Sequence, residues 1–306
     1  MTSTELCETA GGRTHGDEWV VAHASVPGSY SLSGAKPLQD AHEVRVLNGV
    51  RGVCVLADGA GSLEHSDIGA SISATEIANE LFRWLQRNGT TLSLGAPSEE
   101  DWRQEAYRAF RCARGRIYEE ADSRNLDYTS MGSTALCVIF DARFLLVAHV
   151  GDGRAAYRSV DGRWRAATTP FKGPEAGSTL FLTSDIWTVP NGHPEYFHTR
   201  VVAESISAFA LLSDGCERAC FRCYDKLDDE RYYDPNEPFP EFFEPNVSTL
   251  NSLADAGAST EVINASWARF LLEGSSSLPS LTQQVDDKTL ILGCYRSRDE
   301  TPCRGC

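Results

Sequence analysis

Aspartates stand at the ends of the apolar runs of this chain, and this placement constrains its fold more than any other feature. The runs are GVCVLA before Asp58, FLLVAHV before Asp152, AFALL before Asp214 and TLIL after Asp286. Apolar runs of this length, bounded by Asp-Gly or Gly-Asp-Gly turns, are typical of buried β-strands. Because strands of one sheet end at shared rims, the pattern predicts that these carboxylates come together.

Helical periodicity occurs in three segments between or after the strands. The apolar spacing from Ile68 to Trp84 fits a helix of about five turns. Ser98, followed three residues later by an acid, is predicted to cap a second helix that extends to about Ala121. A third helix is predicted over residues 260–273, whereas the acidic, aromatic, proline-rich stretch 228–245 is predicted to form neither a regular helix nor a central strand. This order predicts a single α+β domain in which helices cover sheets.

The charge balance argues against two classes of partner. The chain has 306 residues, with 28 Lys and Arg against 43 Asp and Glu and a formal net charge of −15. Such a surface repels phosphate backbones and anionic lipid heads, so we expect no nucleic acid and no membrane as partner. No apolar run approaches the ~18–20 residues of a membrane span, and the first residues lack the pattern of a secretory signal. We therefore expect a cytoplasmic protein.

The ten cysteines are interpreted for a reducing compartment, where thiols mostly act as small buried hydrophobes. Cys216, Cys220 and Cys223 have the spacing C-x3-C-x2-C and, on a helix, would share one face, which favours core packing. A structural zinc site formed by Cys220, Cys223, Cys303 and Cys306 is the alternative, because pairs at x2 spacing suit tetrahedral thiolate ligation. A redox or iron–sulfur role is the remaining hypothesis.

The aspartates indicate a cation site of a particular kind. Clustered carboxylates repel one another and take up protons unless a cation neutralises them. Ligands that are all oxygen favour Mn²⁺ or Mg²⁺ over a thiophilic metal. A glycine follows three of these aspartates, at Gly59, Gly153 and Gly215, and allows a tight turn and a close backbone approach. The alternative is an ordinary Asp-Gly turn at each position.

Six segments occur in an order that resembles a known family. They are QDAH at 39–42, VLADGAGS at 55–62, MGSTA at 131–135, HVGDGRAAY at 149–157, LLSDG at 211–215 and DDKTLIL at 286–292. This series is similar to the signatures of the metal-dependent protein serine/threonine phosphatases of the 2C type. The bacterial branch is the nearest, since Ser66-Asp-Ile-Gly-Ala follows DGAGS. Together the segments extend over nearly the whole chain.

The resemblance implies a fold with defined boundaries. It is a four-layer α+β arrangement, a central antiparallel β-sandwich flanked by helices on both outer faces. The phosphatase domain would occupy residues 18–296, with insertions at about 163–199 and 225–250. Residues 1–17 are then expected to be a disordered N-terminal segment and residues 297–306 a C-terminal tail.

The same resemblance implies roles for individual residues. Asp58 would bridge two Mn²⁺ or Mg²⁺ ions, with the Gly59 carbonyl as a further ligand, and Asp214 and Asp286 would complete the site. Asp152 would help to hold a third, weaker ion, and Asp40 would orient bound water. The implied reaction is hydrolysis of phosphoserine and phosphothreonine esters in proteins by a metal-bridged water, with a phosphorylated protein as partner and substrate of an opposing serine/threonine kinase.

Departures from the family pattern leave a second hypothesis open. Gln39 stands where Glu is common, Ala60 where some members carry His, and Ala35 where an Arg commonly binds phosphate. Lys36, one place over, is the candidate substitute for that Arg. The alternative function is a catalytically weak or inactive module of the same fold that binds a phosphorylated partner.

Overall fold

The computed structural model describes residues 17–34, 36–172, 179–188, 192–226, 232–274, 281 and 284–297. The strands are β1 (Glu18–Val26), β2 (Asp40–Leu47), β3 (Arg51–Asp58), β4 (Ala135–Asp141), β5 (Phe144–Val150), β6 (Arg154–Ser159), β7 (Trp164–Ala166), β8 (His198–Val202), β9 (Ile206–Leu212), β10 (Phe221–Arg222), β11 (Asp225–Lys226), β12 (Tyr232–Tyr233), β13 (Glu237–Pro238) and β14 (Lys288–Arg296). The helices are α1 (Ser29–Leu32), α2 (Ser66–Arg87), α3 (Gly89–Leu92), α4 (Glu99–Arg124), α5 (Asp214–Cys220), α6 (Pro240–Asp255) and α7 (Thr260–Glu273), and a 3-10 turn covers Tyr128–Met131.

Two five-stranded antiparallel sheets form the centre of the fold. Sheet I has the strand order β1-β14-β9-β6-β7, and sheet II has the order β2-β3-β4-β5-β8. Two short hairpin pairs, β10 with β13 and β11 with β12, lie outside these sheets. The inward-facing residues of both sheets form one apolar cluster, which makes the pair a β-sandwich.

Aromatic rings fill the middle of the sandwich. Phe140 of sheet II stacks on Phe209 of sheet I with ring centroids 4.7 Å apart, and Trp19 lies 5.2 Å from each of them. All three side chains are almost completely buried. Inward and outward residues alternate along the strands, so that in β3 Cys54 and Leu56 face sheet I while Val53, Val55 and Ala57 face the helices.

Helices cover both outer faces, as predicted. Helices α2 and α4 pack on sheet II through their buried apolar residues, and the predicted cap is present, since Ser98 Oγ accepts a hydrogen bond from the Asp101 amide at 3.1 Å. Helices α5, α6 and α7 pack on sheet I, where Trp267 of α7 donates its indole N–H to the Leu290 carbonyl at 2.9 Å. The predicted four-layer fold is therefore confirmed.

One element contradicts the sequence analysis. The stretch 228–245 was predicted to form no regular helix, yet α6 begins at Pro240 and includes Pro245. Pro240 occupies the first turn, where a missing N–H costs nothing. Phe242, Phe243 and Val247 are buried against sheet I, and this burial outweighs the hydrogen bond that Pro245 removes.

The three cysteines at 216, 220 and 223 are packed in the core as predicted, but only two of them lie on the predicted helix. Helix α5 ends at Cys220, so Cys223 lies beyond the helix, but Cys216, Cys220 and Cys223 are all buried in the apolar cluster under α6. Burial raises the pKa of the Cys223 thiol to about 12, which keeps that thiol neutral. Cys303 and Cys306, like nearly all of the predicted terminal segments, lie outside the described residues, so the zinc hypothesis stays a prediction.

None of the described helices is both long enough and apolar enough to span a bilayer.

Replacing Phe209 by alanine tests the central packing of the sandwich. We expect Phe209→Ala to lower the free energy of unfolding by about 3–5 kcal/mol, because it removes a ring that touches both sheets and leaves a cavity. Urea unfolding followed by tryptophan fluorescence measures the change. Leu94→Ala, at a side chain that is 88% exposed, is the control and should change little. A loss below 1 kcal/mol for Phe209→Ala would contradict the packing described.

Candidate active site

Antiparallel pairing brings the first two aspartates together. Asp40 is the first residue of β2 and Asp58 the last residue of β3, and the register places them directly opposite each other. Residues that are paired in this way point to the same face of a sheet. Asp58 continues the alternation of Cys54 and Leu56, so both carboxylates lie on the side facing sheet I.

The other aspartates reach the same end of the sandwich from sheet I. Leu212 at the end of β9 pairs with Leu290 near the start of β14 and with Arg154 at the start of β6. Asp214 and Asp286 therefore leave their strands at one rim. Asp152 arrives there because the connection from β5 in sheet II to β6 in sheet I crosses at this rim.

Two glycines permit the close backbone contacts of this rim. A Cβ on Gly215 would lie 2.0 Å from the Asp287 carbonyl oxygen, and a Cβ on Gly59 would lie 2.7 Å from the Gln39 carbonyl oxygen. Only a residue without a side chain fits at such separations. The glycines that follow Asp58 and Asp214 thus allow neighbouring strand ends to approach each other.

A cavity of about 290 Å³ opens at this rim and collects the predicted site residues. Its lining includes Asp40, Asp58, Gly59, Asp152, Asp214, Asp286 and Asp287. Among the described residues that line it, none is basic. Within the same described part of the chain, no three His, Cys, Asp or Glu side chains already form a metal ligand set.

The electrostatics of the cavity are those of crowded acids. Burial raises the pKa of Asp58 well above its usual range, and the charges of Asp40, Asp214 and Asp152 raise it further. Burial likewise raises the pKa of Asp214 to about 7, with Asp152 and Asp286 adding to the shift. The pKa of Asp152 and that of Asp286 are raised too, again mainly by burial. Each shift reflects how unfavourable negative charge is among these neighbouring acids.

Hydroxyl groups hold Asp40 and Asp58 in place. The Asp58 amide donates to Thr134 Oγ1 at 3.1 Å, and the Thr134 amide donates to the Asp58 carbonyl at 2.8 Å. Asp40 Oδ2 accepts hydrogen bonds from Ser213 Oγ at 2.8 Å and from Thr289 Oγ1 at 2.7 Å. Burial raises the pKa of Asp40 to about 6, while the Thr289 and Ser213 hydroxyls act in the opposite direction.

Asp287 differs from its neighbour Asp286. Its two carboxylate oxygens accept backbone hydrogen bonds, from the Gly28 amide at 2.9 Å and from the Gln39 amide at 2.7 Å. Asp287 therefore joins the start of β14 to the segments before α1 and β2. Asp286, the residue that the resemblance aligned with the ligand position, lines the cavity beside it.

Gln39 and Lys36, which the sequence analysis named among the departures from the family pattern, both make hydrogen bonds at the edge of the cavity. The Gln39 amide nitrogen donates to the Leu63 carbonyl at 3.3 Å and also to Ser66 Oγ, so it ties the loop after β3 to β2. The Lys36 ammonium donates to the carbonyl of Gly61, which lines the cavity. Lys36 thus lies at the rim of the site. Ala35 is outside the described residues.

Sequence reasoning missed the residues that support the acids. Ser213 and Thr289, the donors to Asp40, lie beside predicted ligands in LLSDG and DDKTLIL, and that adjacency was the available signal. It also missed Arg154, which is 1% exposed and forms ion pairs with Glu217 at 3.0 Å and Asp234 at 2.6 Å. Nothing local in the sequence indicates that partnership, because Glu217 and Asp234 are remote along the chain.

Comparison with known proteins agrees with this geometry. A family model described as Protein phosphatase 2C matches residues 28–264. The chain belongs to the protein phosphatase 2C family. Serine/threonine-protein phosphatase 3 of Escherichia coli (strain K12) is 26% identical to it over 282 residues, which cover 90% of this chain and 98% of that protein. The predicted family and the predicted serine/threonine phosphatase function are thereby confirmed.

Solved phosphatase structures share the fold of this 2C phosphatase. The S. agalactiae serine/threonine phosphatase matches with a TM-score of 0.52 at 15% identity, over 90% of this chain and 99% of that chain. Serine/threonine phosphatase Stp1 from Staphylococcus aureus matches with a TM-score of 0.50 at 15% identity, over 94% and 99%. At such identities these matches bear on the fold alone.

A pair of glycine substitutions tests the close approach at the rim. We expect Gly215→Ala to lower the free energy of unfolding by about 2–3 kcal/mol, because the new Cβ collides with the Asp287 carbonyl. Gly115→Ala is the matched control, because Gly115 lies in helix α4 and a Cβ added there would have no other atom within 4 Å. The control should raise stability by about 0.5–1 kcal/mol. Equal effects of the two substitutions in chemical denaturation would contradict the packing.

Proposed function

We propose that this protein hydrolyses phosphoserine and phosphothreonine esters in a divalent-metal-dependent reaction centred on Asp58. The observation that carries the proposal is the cavity lined by six aspartates and, among its described lining, by no basic residue. Carboxylates crowded in this way are unfavourable when all are ionised unless cations are bound, and the raised pKa values of Asp58 and Asp214 agree with this. All-oxygen donors fit Mn²⁺ or Mg²⁺.

The proposed ligand roles are those that the resemblance implies, and the acids that line the cavity support them. Asp58 would contact two ions, the role that the resemblance implies, and the charges of Asp40, Asp214 and Asp152 all act on its carboxylate. Asp214 and Asp286 would complete that set, and the Gly59 carbonyl would add a ligand. Asp286 is the proposed ligand rather than Asp287, because both carboxylate oxygens of Asp287 already accept hydrogen bonds from backbone amides. Asp152, at the crossing between the sheets, would hold a third and weaker ion.

When bound, such ions lower the pKa of a water molecule towards neutrality and screen the charge of the phosphate. The chain's own part is positioning. Asp40, fixed through Oδ2 by two hydroxyls, would orient water beside Asp58. The strand ends hold the acids rigidly, and phosphoryl transfer depends mainly on such positioning and electrostatics.

The proposed partner is a phosphorylated protein on which an opposing serine/threonine kinase acts. Lys36 is the proposed contact for the substrate phosphate, because its ammonium lies against the Gly61 carbonyl at the cavity rim. An acidic cavity repels a phosphate dianion until cations are bound, so metal binding is expected to precede substrate binding.

Removing one carboxylate charge tests the metal site directly. We expect Asp58→Asn to reduce Mn²⁺-dependent hydrolysis of a phosphoserine peptide by about a thousandfold or more, because the group shared between two ions is lost. Isothermal titration with Mn²⁺ in the absence of substrate should show weakened binding of the same variant. Excess EDTA should abolish hydrolysis by the unaltered protein.

Asp122→Asn, which removes an exposed carboxylate from helix α4, is the control and should leave both hydrolysis and Mn²⁺ binding unchanged. Full turnover by Asp58→Asn, or turnover that survives EDTA, would refute the assignment. Tight Mn²⁺ binding without any turnover by the unaltered protein would instead support an inactive, phosphoprotein-binding module.

A charge substitution at the rim tests the phosphate contact. We expect Lys36→Ala to raise KM for a phosphopeptide about threefold to tenfold with little change in kcat, the modest effect typical of an exposed charge. Lys36→Arg keeps the charge and should retain most of the affinity. Steady-state kinetics at fixed Mn²⁺ concentration measures both parameters. An unchanged KM in Lys36→Ala would contradict a contact between this lysine and the substrate phosphate.

A further inference from the structure

A row of polar side chains connects the active-site cavity to helix α7. Thr289 Oγ1 lies 2.6 Å from Ser25 Oγ, and Ser25 Oγ lies 2.7 Å from His42 Nδ1. His42 Nε2 lies 2.8 Å from His23 Nδ1, and His23 Nε2 lies 2.9 Å from Asn264 Nδ2. The row begins at Asp40, whose Oδ2 accepts from Thr289. Each separation is that of a normal hydrogen bond.

The row occupies the place where the edge strands of the two sheets face each other. In β1 the residues at two-residue spacing are Trp19, Val21, His23 and Ser25, and in β2 they are Asp40, His42, Val44 and Val46. Both strands therefore change from apolar to polar as they approach the active-site rim. Apolar residues at these inward-facing positions would pack the sandwich, so packing alone does not explain the polar residues near the rim.

The active-site end fixes the direction of every hydrogen bond in the row. Ser213 Oγ accepts from the Thr289 amide at 3.0 Å, so its own proton goes to Asp40 Oδ2, and Thr289 also donates its hydroxyl proton to that oxygen. Thr289 Oγ1 must then accept from Ser25. Ser25 Oγ in turn must accept from a protonated Nδ1 of His42, because otherwise two hydroxyl oxygens would meet without a proton between them.

The helix end leads independently to the same direction. The His23 amide can only donate, and it donates to Asn264 Oδ1 at 3.0 Å. This orients the Asn264 amide so that its NH2 group donates to His23 Nε2. A neutral His23 then carries its proton on Nδ1 and donates to His42 Nε2. The two ends agree on one arrangement, with both histidines neutral and protonated on Nδ1.

The surroundings of the two rings keep them uncharged. Burial lowers the pKa of His42 to about 4, and the neighbouring His23 contributes to that shift. Burial lowers the pKa of His23 as well. A charged ring would have a proton on each nitrogen and would face a donor at one of them, so the neutral forms suit the row.

We propose that Ser25, His42, His23 and Asn264 form a one-directional hydrogen-bond relay that holds the Thr289 hydroxyl as a donor to Asp40 and so positions the Asp40 carboxylate beside Asp58. These are positioning residues, since they reach the site only through Thr289. The effect on turnover rests on the role proposed for Asp40 in the phosphatase reaction. The direction of the relay does not rest on it.

Histidine NMR tests the direction without any metal or substrate. In metal-free protein labelled with ¹⁵N-histidine, we expect the ring nitrogen shifts of His23 and His42 to show neutral Nδ1–H tautomers. Asn264→Asp replaces the terminal donor by an acceptor and should move His23 to the Nε2–H tautomer or to the charged form. Ser25→Ala removes the acceptor for His42 Nδ1–H but leaves the hydrogen bonds from Asn264 and His23, so both rings should keep the Nδ1–H tautomer while the Nδ1 shift of His42 changes. An Nε2–H tautomer at either ring in the unaltered protein would overturn the relay.

Kinetics test the positioning. We expect Ser25→Ala and Asn264→Asp to lower kcat about fivefold to tenfold, with KM within twofold of the unaltered value, because one oriented hydrogen bond at Asp40 is weakened. Ser25→Thr keeps a hydroxyl and should retain the His42 Nδ1 shift and most of the turnover. If Ser25→Ala fails to fold, Asn264→Asp and Ser25→Thr still test the relay.

Asn251→Asp is the matched control. Asn251 lies on the adjacent helix α6 and accepts from Cys294 Sγ at 3.2 Å, outside the relay, so the same change of charge there should alter neither the tautomers nor kcat. Shifted tautomers with unchanged kcat would refute the positioning role. Absence of phosphatase activity in the unaltered protein would count against the proposed function, while the NMR result would still decide the relay.

Discussion

Repulsion among the carboxylates that crowd one rim of the sandwich is the constraint on which the rest of this structure depends. Six aspartates line one cavity, and burial and mutual charge raise the pKa values of Asp40, Asp58, Asp152, Asp214 and Asp286. A polypeptide can keep such a cluster only if the backbone that carries it is rigid and if some of its oxygens are hydrogen-bonded. Asp287 has two amide donors and Asp40 has two hydroxyl donors. Cations are the compensation that we propose for the remaining acids.

The β-sandwich provides that rigidity because its strands are antiparallel. Strand β2 begins where β3 ends, and β14 begins where β9 ends, so residues far apart along the chain leave their sheets at one rim. The apolar interior, centred on Phe140 and Phe209, sets the spacing of the two sheets and hence the width of the cavity. The proposed relay extends this arrangement along the edge strands, from an apolar interior to a polar rim.

The local signals in the sequence predicted most of the helices and misjudged one. Periodicity and the Ser98 cap predicted α2, α4 and α7, because these depend on neighbours within one helix. Helix α6 was missed since its prolines argue against a helix locally, while burial of Phe242 and Phe243 on sheet I favours it. The role of Gln39 could not be predicted either, because its partners belong to the loop that follows β3.

By itself, the sequence determined the alternation of strands and helices, the aspartates at the strand ends and the family to which their motifs belong. Each of these depends only on residues that are close together in the sequence. Only the tertiary structure decided which acids face one another, which of Asp286 and Asp287 is already hydrogen-bonded to the backbone, and in which direction the protons point between Asp40 and Asn264. Those properties depend on register and packing between separate segments of the chain, as far as 259 positions apart for Gly28 and Asp287, and no local pattern records them.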